Sequence, residues 1–252
     1  MNQITPVVKQ LLIINILFFI GTIALGLDSN DNVAYKTLSL YYPENPMFRF
    51  WQPLTHMFMH GGVGHIFFNM FALVSFGSTL EHFWGGKRFL IFYLICGLGA
   101  GLVSVAVNYY FVHHAIDTLV LNGINQSEVL KTLFENKPTS SWQSILTPSS
   151  YSNLVSNYFV SSVGASGAIY GLLIAFAFMF PDAKLGLMFI PVPIAAKYFV
   201  PAIVLLDLFS GVTGYSIFGQ NIGHFAHVGG ALFGLIMMLI WRNKKFNFNR
   251  IN

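Results

Sequence analysis

Ser166 lies in Gly164-Ala165-Ser166-Gly167, at the head of an apolar stretch that reads as a membrane helix. His227 lies in Ala226-His227-Val228-Gly229-Gly230, within a second such stretch. A hydroxyl and an imidazole act as nucleophile and general base when they come within hydrogen-bonding reach. Polar groups at membrane depth are costly, and by default they point to a functional site. The chemistry this pair offers is hydrolysis inside hydrocarbon-length segments.

Both residues are followed by small-residue stripes, Gly167-x-x-x-Gly171 after Ser166 and Gly230-x-x-x-Gly234 after His227. Such stripes let helix backbones approach closely in lipid. They pack any membrane bundle, but here they would bring a serine and a histidine of matching depth together. Tyr170 lies one turn after Ser166 on the same face and could lie against the His227 ring; taken alone, a buried tyrosine is the simpler reading. A second cluster is His56, His60 and His65 with Asn69. His65 and Asn69 are i,i+4, so two neutral donors share one face and could stabilise an oxyanion, an effect worth roughly 3–4 kcal/mol per donor. The histidines also raise a metal or haem transporter, yet no His-Glu-x-x-His motif is present and the carboxylates are poorly placed to complete a zinc site. His56 and His60 are read as hydrogen-bonding the outer loop to the bundle. Asp207 is the one carboxylate well inside a span. It is the only intramembrane candidate for an acid on His227, but the favoured reading is that it caps its own span or binds a loop amide. His82, His113, His114 and His224 stand at span ends or in loops without an evident partner.

These residues need elements to hold them. The chain has 252 residues, of which 55% are hydrophobic and 9% charged, with a mean hydropathy of +0.63. Soluble domains carry about 25% charged residues, so a polytopic membrane protein is expected. The net charge of +4 is spread over segment ends and does not suggest nucleic-acid binding. Cys96 is the only cysteine, which excludes an intrachain disulfide and a thiolate metal cluster. With about 20 apolar residues needed per crossing, six spans are predicted: roughly 7–27, 64–84, 88–112, 166–181, 198–215 and 222–241. The first has no small-x-small cleavage site before Asp28 and reads as a retained anchor. Most of the 13 basic residues fall on one side: Lys9, Lys87, Arg88, Lys184, Lys197, Arg242, Lys244, Lys245 and Arg250, against Lys36, Arg49, Lys131 and Lys137. The positive-inside rule therefore places both termini in the cytoplasm and the site toward the outer face.

Residues 1–47 comprise the anchor and the start of an outer loop, 48–242 the core, and 243–252 a basic tail. The loop over 28–63, with Tyr41, Tyr42, Phe48, Phe50 and Trp51, is expected to lie partly in the membrane surface. The polar insert 113–160 allows one or two short amphipathic helices, through Leu119, Ile124, Val129, Leu130, Leu133 and Phe134. Segment 185–196, with Pro191 and Pro193, reads as interfacial.

Taken in order, these motifs resemble the rhomboid family of intramembrane serine proteases over roughly 48–240. Trp51 precedes His56-x-x-x-His60-x-x-x-x-His65-x-x-x-Asn69; Glu81 and Gly85-Gly86-Lys87 look like the end of that helix. Gly164-Ala165-Ser166-Gly167 is similar to the Gly-x-Ser-Gly motif, and Gly223-x-x-x-His227-x-x-Gly230-x-x-x-Gly234 to the last helix. The resemblance implies an all-α, six-transmembrane-helix bundle of the bacterial form, in a cell membrane. It implies a Ser–His dyad of Ser166 and His227 without a triad acid, Tyr170 supporting the ring, and an oxyanion hole of His65, Asn69 and the Ser166 N–H. Gly164, Gly167 and His60 would support the site. No cofactor and no metal are implied, and the substrates would be single-pass membrane proteins cut near the outer end of their helix, in a water-filled cavity within the lipid. Two departures stand out: Gln52 follows Trp51 where the family often has arginine, and the insert is long. The alternative is a non-catalytic rhomboid-like protein that captures membrane helices for quality control, although inactive relatives typically lack the serine or the histidine.

Overall fold

The computed structural model describes residues 4–26, 32–135, 137, 139–187, 190–215 and 223–243. The start of the expected sixth span at 222, Asp28, and the tail residues Lys244, Lys245 and Arg250 lie outside the described residues. The chain is an all-helical polytopic membrane protein with one small β-hairpin. Five described helices are long and apolar enough to cross a membrane, and a sixth apolar helix is shorter.

The first, α1 (Pro6–Ala24), starts on proline, whose missing N–H is no loss in a first turn. Its cap comes from far along the chain. The buried Glu81 carboxylate accepts from Thr5 Oγ1 (2.5 Å), Val7 N (2.9 Å) and Val8 N (2.8 Å). Glu81 belongs to the second span, Val63–Trp84, which comprises α4 (Val63–Ala72), a π turn (Leu73–Gly77) and α5 (Ser78–Trp84). Between the first two spans, α2 (Val33–Leu38) is capped by the Asn32 side chain, which accepts from Ala34 N and Tyr35 N. The short α3 (Gln52–Thr55) leads into the 3₁₀ turn His56–Phe58. Phe50 is 84% exposed and meets Trp51 edge-on.

The third span departs from expectation. Helix α6 (Gly86–Leu121) has 36 residues, about 54 Å, and runs nine residues into what reads as the polar insert. His113, His114 and Asp117 break the hydropathy but not the periodicity. Val112, Ala115, Ile116 and Leu119 are buried at i, i+3, i+4 and i+7, a helical stripe that continues until Gly123 adopts φ +91°. The rest of the insert supplies two short helices, α7 (Gln126–Phe134) and α8 (Pro148–Phe159). Val129 and Leu133 of α7 and Leu154 and Tyr158 of α8 are buried with the α6 stripe and with Tyr42 of the first loop in a second core. Leu130 and Phe134 are exposed instead.

Helix α9 (Ser166–Met179) has 14 residues, about 21 Å, and most of its surface is buried among its neighbours. Segment 185–196 is mostly strand. The strand β1 (Lys184–Leu187) pairs antiparallel with β2 (Ile190–Ala195), Lys184 opposite Ala195 and Leu185 opposite Ile194. A two-stranded ribbon has only edges, where prolines are tolerated because no further strand needs their N–H. Helices α10 (Ala196–Thr213) and α11 (His224–Asn243) complete the bundle.

Candidate active site

Helix α9 begins on Ser166, and Gly164 sets its entry with φ +133°. A β-carbon at Gly164 would lie 2.9 Å from both Cε1 and Nε2 of His65. The position thus needs glycine twice over, for its left-handed backbone and for the approach of the imidazole. The loop is pinned from outside: Gly164 N donates to the His56 carbonyl (2.9 Å), and Leu40 and Ser162 exchange backbone hydrogen bonds at 3.0 and 2.8 Å.

The glycine stripes meet. A β-carbon on Gly230 would overlap the Gly167 carbonyl, and one on Gly234 would stand 2.8 Å from Gly171 Cα. Gly167 and Gly171 also receive α6, through Ala100 and Cys96. At this separation His227 Nε2 lies 2.9 Å from Ser166 Oγ. The Tyr170 ring stacks on the His227 ring, with centroids 4.2 Å apart and planes 10° apart.

The N-terminal half of span two brings His65 to the same place, against Gly164. His65 Nδ1 accepts from Gly61 N at 3.3 Å, which leaves the proton on Nε2, the atom that faces Gly164. Asn69 is buried, and its Nδ2 has no hydrogen-bond partner among the described residues. Asn69 follows His65 at i,i+4, so the two donors share one face of α4. His56 ties the first loop down, its Nδ1 3.0 Å from the Gln52 carbonyl and its ring against Gly101 of α6. His60 differs from the expectation that it hydrogen-bonds the loop. It is buried, neither ring nitrogen has a partner among the described residues, and the ring stands edge-on to His65 at 5.1 Å. Its carbonyl serves the loop, accepting from the Tyr35 hydroxyl at 2.9 Å.

Burial holds both His56 and His60 well below the usual imidazole range, at about 4 in each case; for His60 the neighbouring His65 adds to the effect. Gln52 is fully buried and closes the first loop internally. Its Oε1 accepts from Tyr41 N (3.2 Å), and its Nε2 donates to the carbonyls of Met47 (3.0 Å) and Thr37 (3.4 Å). A neutral amide both gives and receives there, whereas an arginine can only donate.

Asp207 and His224 correct the sequence reading. Among the described residues, Asp207 neither caps α10 nor binds a loop amide. Its buried carboxylate takes the Tyr170 hydroxyl on Oδ2, and His224 Nδ1 (2.5 Å) and His227 Nδ1 (3.2 Å) on Oδ1. His224, thought to lack a partner, is therefore joined to the site. The signal was in the sequence: a carboxylate inside a span needs donors, and His224 and His227 are spaced i,i+3 on one helical face. His113 also has a partner, Glu44 Oε1 at 3.1 Å, and joins the first loop to the α6 extension. Among the described residues, no three His, Cys, Asp or Glu side chains are grouped to hold a metal.

Comparison with known proteins adds the lineage. A family profile described as "Rhomboid domain" matches residues 47–123 and 138–244, so α7 falls in the gap. The chain is 30% identical over 194 residues to the "Presenilin-associated rhomboid-like protein A, mitochondrial" of Danio rerio, covering 75% of this chain and 38% of that protein. It is 26% identical over 218 residues to the human "Presenilin-associated rhomboid-like protein, mitochondrial", covering 83% and 45%. A shorter match, 37% over 60 residues, covers 24% of this chain and 12% of the "Rhomboid protease GluP" of Bacillus subtilis (strain 168). The chain thus spans less than half the length of these relatives. With a profile that takes in most of its residues, this chain belongs to the rhomboid family.

Proposed function

We propose that this protein is an intramembrane serine endopeptidase that hydrolyses peptide bonds in or near the transmembrane segments of other membrane proteins. One observation carries the reading: the 2.9 Å approach of Ser166 Oγ to His227 Nε2 at the start of α9. In the proposed step, Ser166 Oγ attacks the substrate carbonyl carbon while its proton passes to His227 Nε2. The oxyanion is held by His65 Nε2–H, Asn69 Nδ2 and the Ser166 N–H, the last an unsatisfied donor of a first helical turn. His227 then returns the proton to the leaving amine as the C–N bond breaks, and water repeats the sequence to release the acyl group from Ser166. Tyr170 keeps the imidazole in plane throughout, while Gly164 and Gly167 keep the approach open.

The substrates are single-pass membrane proteins, met in lipid, with the site opening to the outer face of a bacterial cell membrane and both termini inside. The relatives named as mitochondrial favour a mitochondrial address as the competing reading.

The test is cleavage of a reporter transmembrane substrate by purified protein in lipid, together with labelling by a fluorophosphonate. Ser166→Ala and His227→Ala should each abolish cleavage while the thermal midpoint stays within a few degrees, and Ser166→Ala should abolish labelling. His65→Ala and Asn69→Ala should slow kcat about 100-fold without stopping turnover, because each removes one oxyanion donor. Full activity in Ser166→Ala would sink the proposal. A wild-type protein that binds substrate helices but neither cleaves nor labels would instead be the non-catalytic binding protein.

A further inference from the structure

The cluster behind the base reaches further than a pair. An ionised carboxylate only accepts, so all three groups on Asp207 must donate to it. This fixes the Tyr170 hydroxyl hydrogen, and it places a proton on Nδ1 of both His224 and His227. A neutral imidazole with its proton on Nδ1 has its lone pair on Nε2, the atom that faces Ser166 Oγ. Three helices meet on this one carboxylate: α9 through Tyr170, α11 through both histidines, and α10 through Asp207 itself.

We propose that Asp207 is a positioning residue for His227, with His224 as the second donor that holds its carboxylate, so that the site is a braced Ser–His–Asp arrangement and not a bare dyad. The proposal rests on the protease reading for its kinetic consequences, but not for its structural one. When His227 takes the Ser166 proton, the ring carries protons on both nitrogens and a positive charge. Asp207 then faces that charge through the Nδ1–H and keeps its own ionised state. His224 competes for the same oxygen. Together with Tyr170 it stops the carboxylate from turning away. The titratable and charged groups around this centre are Tyr170 from α9, His224 and His227 from α11 and, on the Ser166 side, His65 from α4.

The test compares wild type with Asp207→Asn, which keeps the shape and removes the charge, and with Asp207→Ala, which removes both. Cleavage kinetics are read over pH 5–9, and ¹⁵N spectra are taken of histidine-labelled protein, with the His227 signals assigned by their loss in His227→Gln. Asp207→Ala should lower kcat about 100-fold with KM within about threefold, and it should free His227 from its Nδ1–H tautomer. Asp207→Asn should move the ascending limb of the kcat profile about one pH unit toward acid, because the imidazolium loses its counter-charge. A purely structural role would change the thermal midpoint and leave both the pH limb and the tautomer in place. Unchanged limb, tautomer and kcat in both variants overturn the proposal while leaving the protease reading standing. If wild type shows no Ser166-dependent cleavage or labelling, the protease reading falls, and the nitrogen spectra still decide for or against Asp207.

Discussion

At the scale of single residues, the two histidines outside the spans carry a pH dependence. His56 and His60 have pKa values near 4 in the folded protein because burial penalises their charged forms, against about 6.5 in an unfolded chain. Between these values the unfolded state binds protons that the folded state refuses. Their contribution to stability is therefore complete above pH 6.5 and is lost progressively as pH falls toward 4, by roughly 3 kcal/mol per ring. Thermal melts of the detergent-solubilised protein should show a midpoint falling steeply from pH 6.5 to 4 and flat from 6.5 to 8, with His60→Phe weakening the fall. A midpoint independent of pH over the acid range would refute this account. Residue type and local spacing made the other site residues candidates: Ser166 with Tyr170 and His65 with Asn69 are i,i+4 pairs, and His227 is an imidazole inside an apolar span. Asp207 and His224 were harder to place, because their partners stand on other helices and no periodicity joins α10 to α11.

At the scale of helices, the α9–α11 crossing decides whether the site exists. Gly230 lies against the Gly167 backbone with no room for one carbon. Gly230→Ala should push the two helices apart, cost about 1–3 kcal/mol of stability, and lower fluorophosphonate labelling of Ser166 well beyond what the stability loss explains. Normal labelling in a destabilised Gly230→Ala would show that the dyad does not depend on this contact. Spans read from hydropathy were close to the helices observed, except where apolar character and helicity part. In α6, His113, His114 and Asp117 lowered the hydropathy while Val112, Ala115, Ile116 and Leu119 kept the helix going. Segment 185–196, with its two prolines, reads in sequence only as interfacial, and the pairing of Lys184 with Ala195 and of Leu185 with Ile194 shows a ribbon. The embrace of Tyr42 by the insert, with its ring 5.5 Å from that of Tyr158, joins residues more than a hundred positions apart, a distance at which local pattern is silent.

At the scale of the whole molecule, the bundle has a basic end and a site end. Glu81 brings the start of α1 to the end of α5, and Phe83 meets Phe180 at the end of α9 with ring centroids 5.2 Å apart, so Lys9, Lys87, Arg88 and Lys184 gather at the end opposite Ser166. If that end lies in the cytoplasm, as proposed from the positive-inside rule, Lys131 of the insert should face outward. Lys131→Cys should react with a membrane-impermeant maleimide in intact cells, whereas the native Cys96 is buried and should stay silent. Reaction only after permeabilisation would invert the orientation. The Glu81 cap also sets an order of assembly. Val7 and Glu81 are 74 residues apart, so at about 5–20 residues per second the carboxylate emerges roughly 4–15 s after the helix start that it caps. For that interval the leading amides of α1 lack the carboxylate that caps them in the folded chain. The start of α1 thus gains its hydrogen-bond partner only after span two has been made.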